Sequence, residues 1–244
     1  MRLHSVKNKF MIKHYSFDLW LTLIKSNSVF KEERAKYFQK KFNPFSRTLA
    51  EVKDIIRNVD LSCNYTNEIV GKNIDALEMY CMVLYNLGVD LSDISTTKIN
   101  EIYAEIEQIF FNYTPQMYDE DTVSTLWCLQ EHGKTLSILS NTGFIKGHTL
   151  KTFIQKSDLS QIDFRFMLFS DEHRMSKPNP FFFSKINKLT NGRLDKHEIL
   201  HVGDNPNADG VGAQFAGIGH VIINNINHSP FTIKDVLNEE LFIT

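Results

Sequence analysis

The sequence predicts an α/β fold, in which a doubly wound parallel sheet forms the core and an all-α domain is inserted after its first strand. Three observations support this prediction. Five short apolar runs are nearly continuous rather than alternating, which is typical of strands covered on both faces. Helical patterns separate the last four runs, as the right-handed crossovers of a parallel sheet require. Between the first two runs, residues 26–114 contain only helical patterns.

The predicted strands share a high content of Ile, Leu, Val and Phe, and each one ends near polar residues. They are YSFDL (15–19), TLSIL (135–139), FRFMLF (164–169), ILHVG (199–203) and GHVII (219–223). Amphipathic patterns predict helices between the later strands, and Gly133 is suited to end the first of these helices. The predicted helices cover residues 120–133, 147–159, 180–192 and 208–217.

The inserted region is predicted to contain four helices, because apolar residues recur at spacings of three and four. These helices cover residues 29–42, 49–60, 74–88 and 93–113. The charged run KEERAKYFQKK (31–41) is expected to be a solvated face. We therefore divide the chain into an α/β core, residues 1–25 and 115–244, and a helical insert, residues 26–114. Residues 1–10 are expected either to be a disordered extension or to precede a true start at Met11.

The composition indicates a sizeable globular chain without bulk affinity for nucleic acid or membranes. The 244 residues include 27 Lys and Arg and 29 Asp and Glu, for a net charge of −2, and no basic block would attract nucleic acid. No apolar run reaches the ~20 residues of a membrane helix, and the N-terminus lacks the apolar stretch of a secretory signal. Cys63, Cys81 and Cys128 have no metal-site spacing, so free, buried thiols and a cytoplasmic location are expected.

Polar side chains that can carry chemistry follow four of the predicted strands. They are Asp18, Ser140 with Asn141, Lys177, and Asp204 with Asp209. Ligands bind beyond the carboxyl ends of the strands in an open α/β sheet, so these residues should converge on one crevice. Each residue alone has an ordinary structural explanation as a loop lysine, a helix cap or a turn residue. Their joint order along four strands favours a functional site.

This set of residues suggests phosphoryl transfer through an aspartyl ester. A carboxylate such as Asp18 can act as the nucleophile and form an aspartyl-phosphate. The crowded carboxylates would need a hard divalent cation with oxygen ligands, by preference Mg²⁺. Lys177 would keep Asp18 ionised and bind a phosphate oxygen. Ser140 and Asn141 would supply hydroxyl and backbone N–H donors to the remaining oxygens.

The motifs, in this order, resemble those of the haloacid dehalogenase superfamily. The matching segments are FDLWLTL, LSN, KPNP and HVGDNPNAD, and the resemblance covers residues 12–225. It implies a Rossmann-like core with a helical cap at residues 26–114. It also implies a Mg²⁺-dependent hydrolase, a phosphoric monoester hydrolase acting on a small phosphorylated metabolite under the cap. Neither a nucleic acid nor a membrane partner is expected, and the substrate and the oligomeric state stay open.

The resemblance also assigns a role to each site residue. Asp18 would be the catalytic nucleophile. The phosphoryl group would be bound by Ser140, Asn141 and Lys177. The metal would be held by Asp18, the backbone carbonyl of Trp20, and Asp204, with Asp209 behind them or bound through water.

The first motif departs from the family's pattern at Trp20. Phosphatases and mutases of the superfamily carry a second Asp there, which protonates the leaving group and then activates water. Trp20 has no acid to give, and Leu21 stands where a glycine usually follows. The family's residue also offers its backbone carbonyl to the metal, and a tryptophan keeps that carbonyl. Metal binding is therefore expected to persist, whereas general acid–base catalysis is lost.

The missing acid leaves several alternatives open. The haloacid dehalogenases carry an aromatic residue at this position and attack carbon without a metal, although their last motif lacks the ligand that Asp204 supplies. The phosphonoacetaldehyde hydrolases use a cap lysine as a Schiff base. The candidates for that lysine are Lys31, Lys36 and Lys72. The candidates for a replacement acid are Glu32, Glu33 and His148. A further alternative, from another class, is a phospho-ligand binding or regulatory protein that has lost turnover.

Overall fold

A computed structural model describes residues 11–190, 192, 194–225, 227 and 230–238; the predicted extension at residues 1–10 lies outside the described residues. The strands of this part are β1 (His14–Phe17), β2 (Ile24–Lys25), β3 (Gln116–Met117), β4 (Thr135–Ser140), β5 (Phe164–Phe169), β6 (Ile199–Gly203) and β7 (Gly219–Ile222). Its α-helices are α1 (Ser28–Lys41), α2 (Leu49–Val70), α3 (Ala76–Leu87), α4 (Thr96–Asn112), α5 (Thr122–Glu131), α6 (Gly147–Lys156), α7 (Ser170–His173), α8 (Pro180–Leu189) and α9 (Gly212–Ala216).

The core is a five-stranded sheet in the order β5-β4-β1-β6-β7, and all neighbouring strands are parallel. Helices connect consecutive strands of this sheet, so the predicted doubly wound α/β fold is confirmed. The central strand β1 is covered on both faces. Tyr15 and Phe17 are fully buried in an apolar layer, and Ser16, on the other face, lies 3.2 Å from the Nδ1 atom of His201 on β6. β1 ends at Phe17, which places Asp18 directly beyond its carboxyl end.

The chain between β2 and β3 forms the four helices α1–α4, as its periodicity predicts. β2 and β3 pair in an antiparallel ribbon where this segment leaves and re-enters the sheet, with Ile24 opposite Met117. The buried faces of the four helices join the same apolar cluster as β1, through residues such as Phe38 and Tyr80. We refer to residues 26–114 below as the helical segment.

Helix α2 is ten residues longer than the sequence predicts, because it ends at Val70 rather than at Asp60. The additional turns are rich in Asn, Ser and Thr, which have low helix propensity, so tertiary packing rather than local preference holds them. The helix ends at Gly71, whose left-handed backbone (φ 67°) lets its N–H reach the carbonyl of Asn67. Glycine tolerates this conformation without steric cost.

The predicted helix over residues 208–217 is present, but it begins two residues earlier and its first part is not an α-helix. A π-helical turn spans Pro206–Val211, and α9 follows it. The side-chain oxygen of Asn205 accepts hydrogen bonds from the N–H groups of Asn207 (2.9 Å) and Ala208 (3.1 Å), which begins the turn. Wide turns of this kind are frequent at functional sites, because they change the direction of one side chain within a helix.

Two expectations from composition concern thiols and membranes. Cys63, Cys81 and Cys128 are all free thiols, as predicted, but of the three only Cys63 is buried. No helix within the described ranges combines the length and the apolar character that crossing a bilayer requires.

His14, at the start of β1, is a fully buried histidine held by two hydroxyl groups. Its Nδ1 atom lies 2.8 Å from Oγ1 of Thr135, and its Nε2 atom lies 2.9 Å from Oγ of Ser137. The ring also stacks on Phe166, with 5.5 Å between the ring centres. Burial, assisted by the charge of Arg165, lowers the pKa of His14 to about 4. The imidazole is therefore neutral in the folded protein at neutral pH.

His14 should make the protein less stable in acid. The unfolded chain takes up a proton near pH 6.5, whereas the folded protein takes it up only near pH 4. The free energy of unfolding is therefore expected to fall between pH 6.5 and pH 4, by about 3 kcal/mol from this residue. In urea unfolding at several pH values, His14→Gln should flatten this decline. His132→Gln, which replaces an exposed histidine, is the control, and an equal slope in both variants would contradict the assignment.

Candidate active site

A buried lysine joins two carboxylates at the carboxyl edge of the sheet. The Nζ atom of Lys177 lies 2.7 Å from Oδ1 of Asp18 and 2.5 Å from Oδ1 of Asp209. Asp18 follows β1, Asp209 lies in the turn after β6, and Lys177 lies in the loop between α7 and α8. All three side chains are at most 9% exposed. Charges this deeply buried persist only when they are paired, so these three groups depend on one another.

Asp204, which directly follows β6, adds a third carboxylate to this group. One oxygen from each of Asp18, Asp204 and Asp209 lies within 4.8 Å of the others. Burial raises the pKa of Asp204 to about 8, and the charges of Asp18 and Asp209 add to the rise. A third negative charge beside Asp18 and Asp209 is therefore unfavourable unless a cation other than Lys177 is present. This donor set fits a hard divalent cation with oxygen ligands, such as Mg²⁺.

The pKa shifts of the other three groups follow from their burial and their contacts. Burial alone would lower the pKa of Lys177, but Asp18 and Asp209 outweigh it and raise the pKa to about 12. Burial would raise the pKa of Asp209, but Lys177 and His201 hold it well below its usual range. Burial raises the pKa of Asp18, against the opposing effect of Lys177. Lys177 is therefore a lasting cation, and Asp209 a lasting anion.

Three residues that the sequence did not indicate as functional position Asp209. Nε2 of the buried His201 lies 3.0 Å from Oδ1 of Asp209, and the backbone N–H of Asn205 donates to Oδ2 at 3.0 Å. Gly203 leaves room for the carboxyl group, since a Cβ atom there would lie 2.1 Å from Cγ of Asp209. A polar histidine in the otherwise apolar run ILHVG is the signal that could have indicated this role.

Ser140 and Asn141 lie where β4 ends, beside Asp18 and Lys177. Ser140 is fully buried, and its hydroxyl is close enough to Asp18 to oppose the rise of that residue's pKa. The side chain of Asn141 binds the backbone of Lys177 twice. Its Nδ2 donates to the Lys177 carbonyl at 3.1 Å, and its Oδ1 accepts from the Lys177 N–H at 2.8 Å. A ligand contact of Asn141 would therefore use its backbone, while its side chain fixes Lys177.

Trp20 lies in a tight turn directly after Asp18. Its half-buried ring packs against the main apolar cluster. The turn is closed by hydrogen bonds from the Leu21 N–H to the Ile24 carbonyl (2.7 Å) and from the Ile24 N–H to the Leu19 carbonyl (2.9 Å). Neither of these bonds uses the carbonyl oxygen of Trp20. The side chain of Asn224 donates to the carbonyl of Leu21 at 3.1 Å and so ties the turn to the end of β7.

Leu21 replaces the expected glycine in a backbone conformation that favours glycine. Its φ is 60°, and its side chain is half exposed. A residue with a Cβ atom pays about 1–2 kcal/mol in this left-handed region. The backbone conformation of Leu21 therefore destabilises the turn after Asp18. The half-exposed side chain buries too little apolar surface to offset this strain.

The strain at Leu21 predicts a difference between two small replacements. The free energy of unfolding of Leu21→Gly should be about 0.5–1 kcal/mol higher than that of Leu21→Ala. Alanine keeps the Cβ atom that strains the left-handed backbone. Glycine relieves this strain, and the relief exceeds the greater chain entropy that glycine loses on folding. Equilibrium urea unfolding of both variants measures this difference. The alanine variant controls for the loss of the leucine side chain. If the glycine variant were no more stable than the alanine variant, the backbone of Leu21 would not be strained.

The extended end of α2 brings Glu68 to the loop that carries Asp204. The two carboxylate oxygens of Glu68 accept hydrogen bonds from Nδ2 of Asn205 (2.9 Å) and from Nδ2 of Asn207 (2.8 Å). Asn205 in turn holds Asp209 through its backbone N–H. The helical segment is thus connected through one asparagine to the acidic cluster. The sequence did not indicate this contact, because the predicted helix ended eight residues earlier.

Two residues just beyond α2 contact the other loops of the site. The carbonyl of Gly71 accepts hydrogen bonds from the loop on either side of Lys177. The donors are the N–H of Ser176 (3.2 Å) and Nδ2 of Asn179 (3.0 Å). Oδ1 of Asn73 accepts from loops that follow β4 and β5. The donors are Oγ of Ser170 (2.6 Å) and Oγ1 of Thr142 (3.4 Å). The helical segment therefore contacts each of the three chain segments, after β4, β5 and β6, that carry the predicted site residues Ser140 to Asp209.

The side chains proposed as substitutes for the missing acid have partners elsewhere. Glu32 pairs with Lys36 and Lys53, and Glu33 pairs with Lys36. His148 is exposed and lies 3.4 Å from Glu107. The lysines considered for a Schiff base are Lys31, Lys36 and Lys72, and all three are exposed. In the described part of the chain, none of these six residues hydrogen bonds to Asp18 or forms an ion pair with it.

The sequence profile of the haloacid dehalogenase-like hydrolases matches residues 15–223 of this chain. The match spans both the sheet and the helical segment, so the chain belongs to the haloacid dehalogenase-like hydrolases. The search of curated proteins found no match.

Solved structures with the same fold include proteins that carry different descriptions. A Bacillus subtilis HAD-family protein, YfnB, solved with bound magnesium, shares 16% identity at a TM-score of 0.66, over 93% of this chain and 98% of its own. A Haemophilus somnus protein predicted to be a phosphoglycolate phosphatase shares 17% identity at 0.64, over 94% and 98%. The 2-haloacid dehalogenase of Pseudomonas syringae pv. Tomato shares 19% identity at 0.60, over 95% and 99%. At these identities the likeness concerns the fold.

Proposed function

We propose that the chain is a Mg²⁺-dependent phosphatase that hydrolyses a small phosphorylated metabolite through an aspartyl-phosphate on Asp18. The main support is the arrangement of Lys177 between Asp18 and Asp209, beside the carboxylate of Asp204. A phosphate dianion adds further negative charge, so it can approach Asp18 only where cations are present. Lys177 supplies one cation, and the three carboxylates fit the binding of a second.

In the first step, a carboxylate oxygen of Asp18 attacks phosphorus. The bond between Asp18 and phosphorus forms as the bond to the leaving oxygen breaks. Lys177 opposes the effect of burial on Asp18, which favours the ionised, nucleophilic form, and it interacts with a phosphoryl oxygen. The hydroxyl of Ser140 and the backbone N–H of Asn141 donate to the other oxygens.

The metal ligands would be Asp18, Asp204 and the backbone carbonyl of Trp20, with Asp209 behind them or bound through water. When bound, Mg²⁺ supplies positive charge that offsets the charge of the phosphoryl group during transfer. His201 and Asn205 hold the carboxyl group of Asp209 in place. Because Asp209 also forms an ion pair with Lys177, it orients the ammonium group of that lysine.

In the second step, water attacks phosphorus and Asp18 is released with inorganic phosphate. The leaving oxygen of the first step needs a proton, and the water of the second step must lose one. Trp20 can serve neither transfer. Positioned acid–base catalysis contributes about 10²–10⁴ in rate, or about 3–5 kcal/mol. Phosphates with acidic leaving groups should therefore be hydrolysed better than alkyl phosphates.

The helical segment acts in this proposal as the cap of a core formed by residues 1–25 and 115–244. Its contacts through Glu68, Gly71 and Asn73 cover the loops that carry the site. A segment that closes over a bound substrate excludes water and selects substrates by shape. A site enclosed between core and cap favours small substrates that fit wholly beneath the cap.

Hydrolysis of p-nitrophenyl phosphate is expected to require both Mg²⁺ and Asp18. Asp18→Asn removes the nucleophile but keeps the size of the side chain, so the rate should fall by about 10³-fold or more. Asp54→Asn, which changes an exposed aspartate on α2, should hydrolyse at the unmodified rate. Activity that survives removal of metal, or that survives in Asp18→Asn, would contradict the mechanism.

Replacement of Trp20 tests whether the absent acid limits the rate. Trp20→Asp is expected to hydrolyse an alkyl phosphate at least ~10-fold faster than Trp20→Asn, because only the first can transfer a proton. Both variants lose the same indole packing, so their comparison isolates the acid. Steady-state release of inorganic phosphate measures it. Equal rates would mean that another group already performs the proton transfers.

A second candidate function is that of a haloacid dehalogenase, which the aromatic residue at position 20 favours. Asp18 would then attack carbon and displace a halide ion. Chloride release from 2-chloropropanoate without added metal would support this candidate over the phosphatase.

A third candidate is a phospho-ligand binding protein, which the loss of the acid favours. Metal-dependent phosphate binding without any product release would support that reading.

A further inference from the structure

Arg34 is a buried cation on α1 for which the described structure contains no ion-pair partner. The residue is 8% exposed, and its Nε atom has no hydrogen-bond partner. The guanidinium carbon lies 5.2 Å from the ring centre of Phe30 and 4.5 Å from that of Phe144. Aromatic faces attract a cation but offer no acceptor to the N–H groups at its edge. The packing thus accommodates the charge of Arg34 without using its Nε donor.

Tyr80, on α3, presents a second unused polar group next to Arg34. The residue is fully buried, and its hydroxyl has no hydrogen-bond partner. Burial raises the pKa of Tyr80 to about 12, although the charge of Arg34 and a side-chain contact with its guanidinium group oppose the rise. Its ring also contacts Phe144, with 4.9 Å between the ring centres. The two side chains thus lie together, yet neither the Nε atom of Arg34 nor the hydroxyl of Tyr80 has a partner at normal hydrogen-bond geometry among the described residues. Nearly all buried polar groups in proteins are partnered, so this pair is unusual.

The two groups lie where the helical segment faces the catalytic loop. Phe144 belongs to the loop that leaves β4 at Ser140, four residues earlier. In the same loop, a Cβ atom on Gly143 would lie 3.5 Å from Oδ1 of Asp60, which is on α2. Residues of α1, α2 and α3 therefore converge on the loop that begins at the proposed phosphate-binding residues.

The charges around this cluster favour an anion. Asp60 is the acid whose electrostatics couple to Arg34: burial raises its pKa, and the charges of Arg34, Lys31 and Arg57 oppose that rise. Lys31 and Arg57 are exposed, whereas the guanidinium group of Arg34 is buried and forms no ion pair with Asp60 in the described structure. A neutral ligand could accept the free hydrogen bonds of Arg34 but would leave this buried charge without an ion-pair partner.

We propose that Arg34 and Tyr80 bind the end of the substrate opposite the scissile phosphate, and that this end carries an anionic oxygen group, either a carboxylate or a second phosphate. The proposal rests on the phosphatase function for the identity of the reacting end. The guanidinium N–H and the phenolic O–H both donate to the anion, in charge-assisted hydrogen bonds. Phe30 and Phe144 hold the guanidinium plane, so that its donors point at the ligand rather than turn into solvent.

Equilibrium binding tests this subsite without turnover when the protein carries Asp18→Asn. The probes are phosphorylated ω-hydroxy acids of two, three and four carbons, the phosphorylated diols of the same lengths, and the bisphosphates of those diols. Calorimetry in the presence of Mg²⁺ should show, at one chain length, at least ~10-fold tighter binding of an anionic-ended probe than of its diol. Whether the acid or the bisphosphate binds better identifies the anion. Equal affinities of the three series at every length would overturn the proposal.

Three further substitutions on the Asp18→Asn background assign the preference to residues. Arg34→Met should abolish the preference for an anionic end, and Tyr80→Phe should reduce it several-fold. Arg57→Met, which removes an exposed cation near the same Asp60, should keep it. Tyr80→Phe removes a single oxygen atom, so it tests the subsite even if Arg34→Met does not fold. A preference that survives in Tyr80→Phe and in any folded Arg34→Met protein would overturn the assignment.

The outcome is separable from that of the phosphatase proposal. If the anion preference depends on Arg34 but protein with an intact Asp18 releases no phosphate, the subsite stands and the phosphatase function falls. If phosphate is released at equal efficiency from anionic and neutral probes, the phosphatase function stands and the subsite falls.

Discussion

The site depends on one interaction, the ion pairs of the buried ammonium group of Lys177 with Asp18 and Asp209. Carboxylates so deeply buried remain ionised only beside a positive charge. Several features of the fold serve this contact. The side chain of Asn141 fixes the backbone of Lys177 from both sides, and His201 holds Asp209. Parallel strands bring these distant parts of the chain to one edge, because all their carboxyl ends point the same way.

Much of this arrangement could be predicted from the sequence, because its causes are local. A strand covered on both faces must be apolar throughout, so the five runs identified the sheet. Asp18 and Asp204 are conspicuous because each follows such a run directly. The match of residues 15–223 to the haloacid dehalogenase-like hydrolases confirms the family. The contact of His201 with Asp209 was harder to foresee, since it depends on the π-helical turn between them.

Features that depend on tertiary packing could not be predicted in this way. The last turns of α2 have low helix propensity and are held by the loops that they contact, so local preference ended the helix too early. The left-handed conformation of Leu21 has no signal in a leucine. Arg34 belongs to a charged run that has the composition of a solvated face. Its burial follows from the approach of Phe144, which is more than a hundred residues away in the chain.

Asn205 gives the helical segment and the acid cluster a common point of attachment. Its side chain donates to Glu68 of α2, and its backbone N–H donates to Asp209. A change of side chain at position 205 would remove the contact with Glu68 but leave the backbone donor of Asp209 in place. The two attachments are therefore chemically independent, although they share one residue.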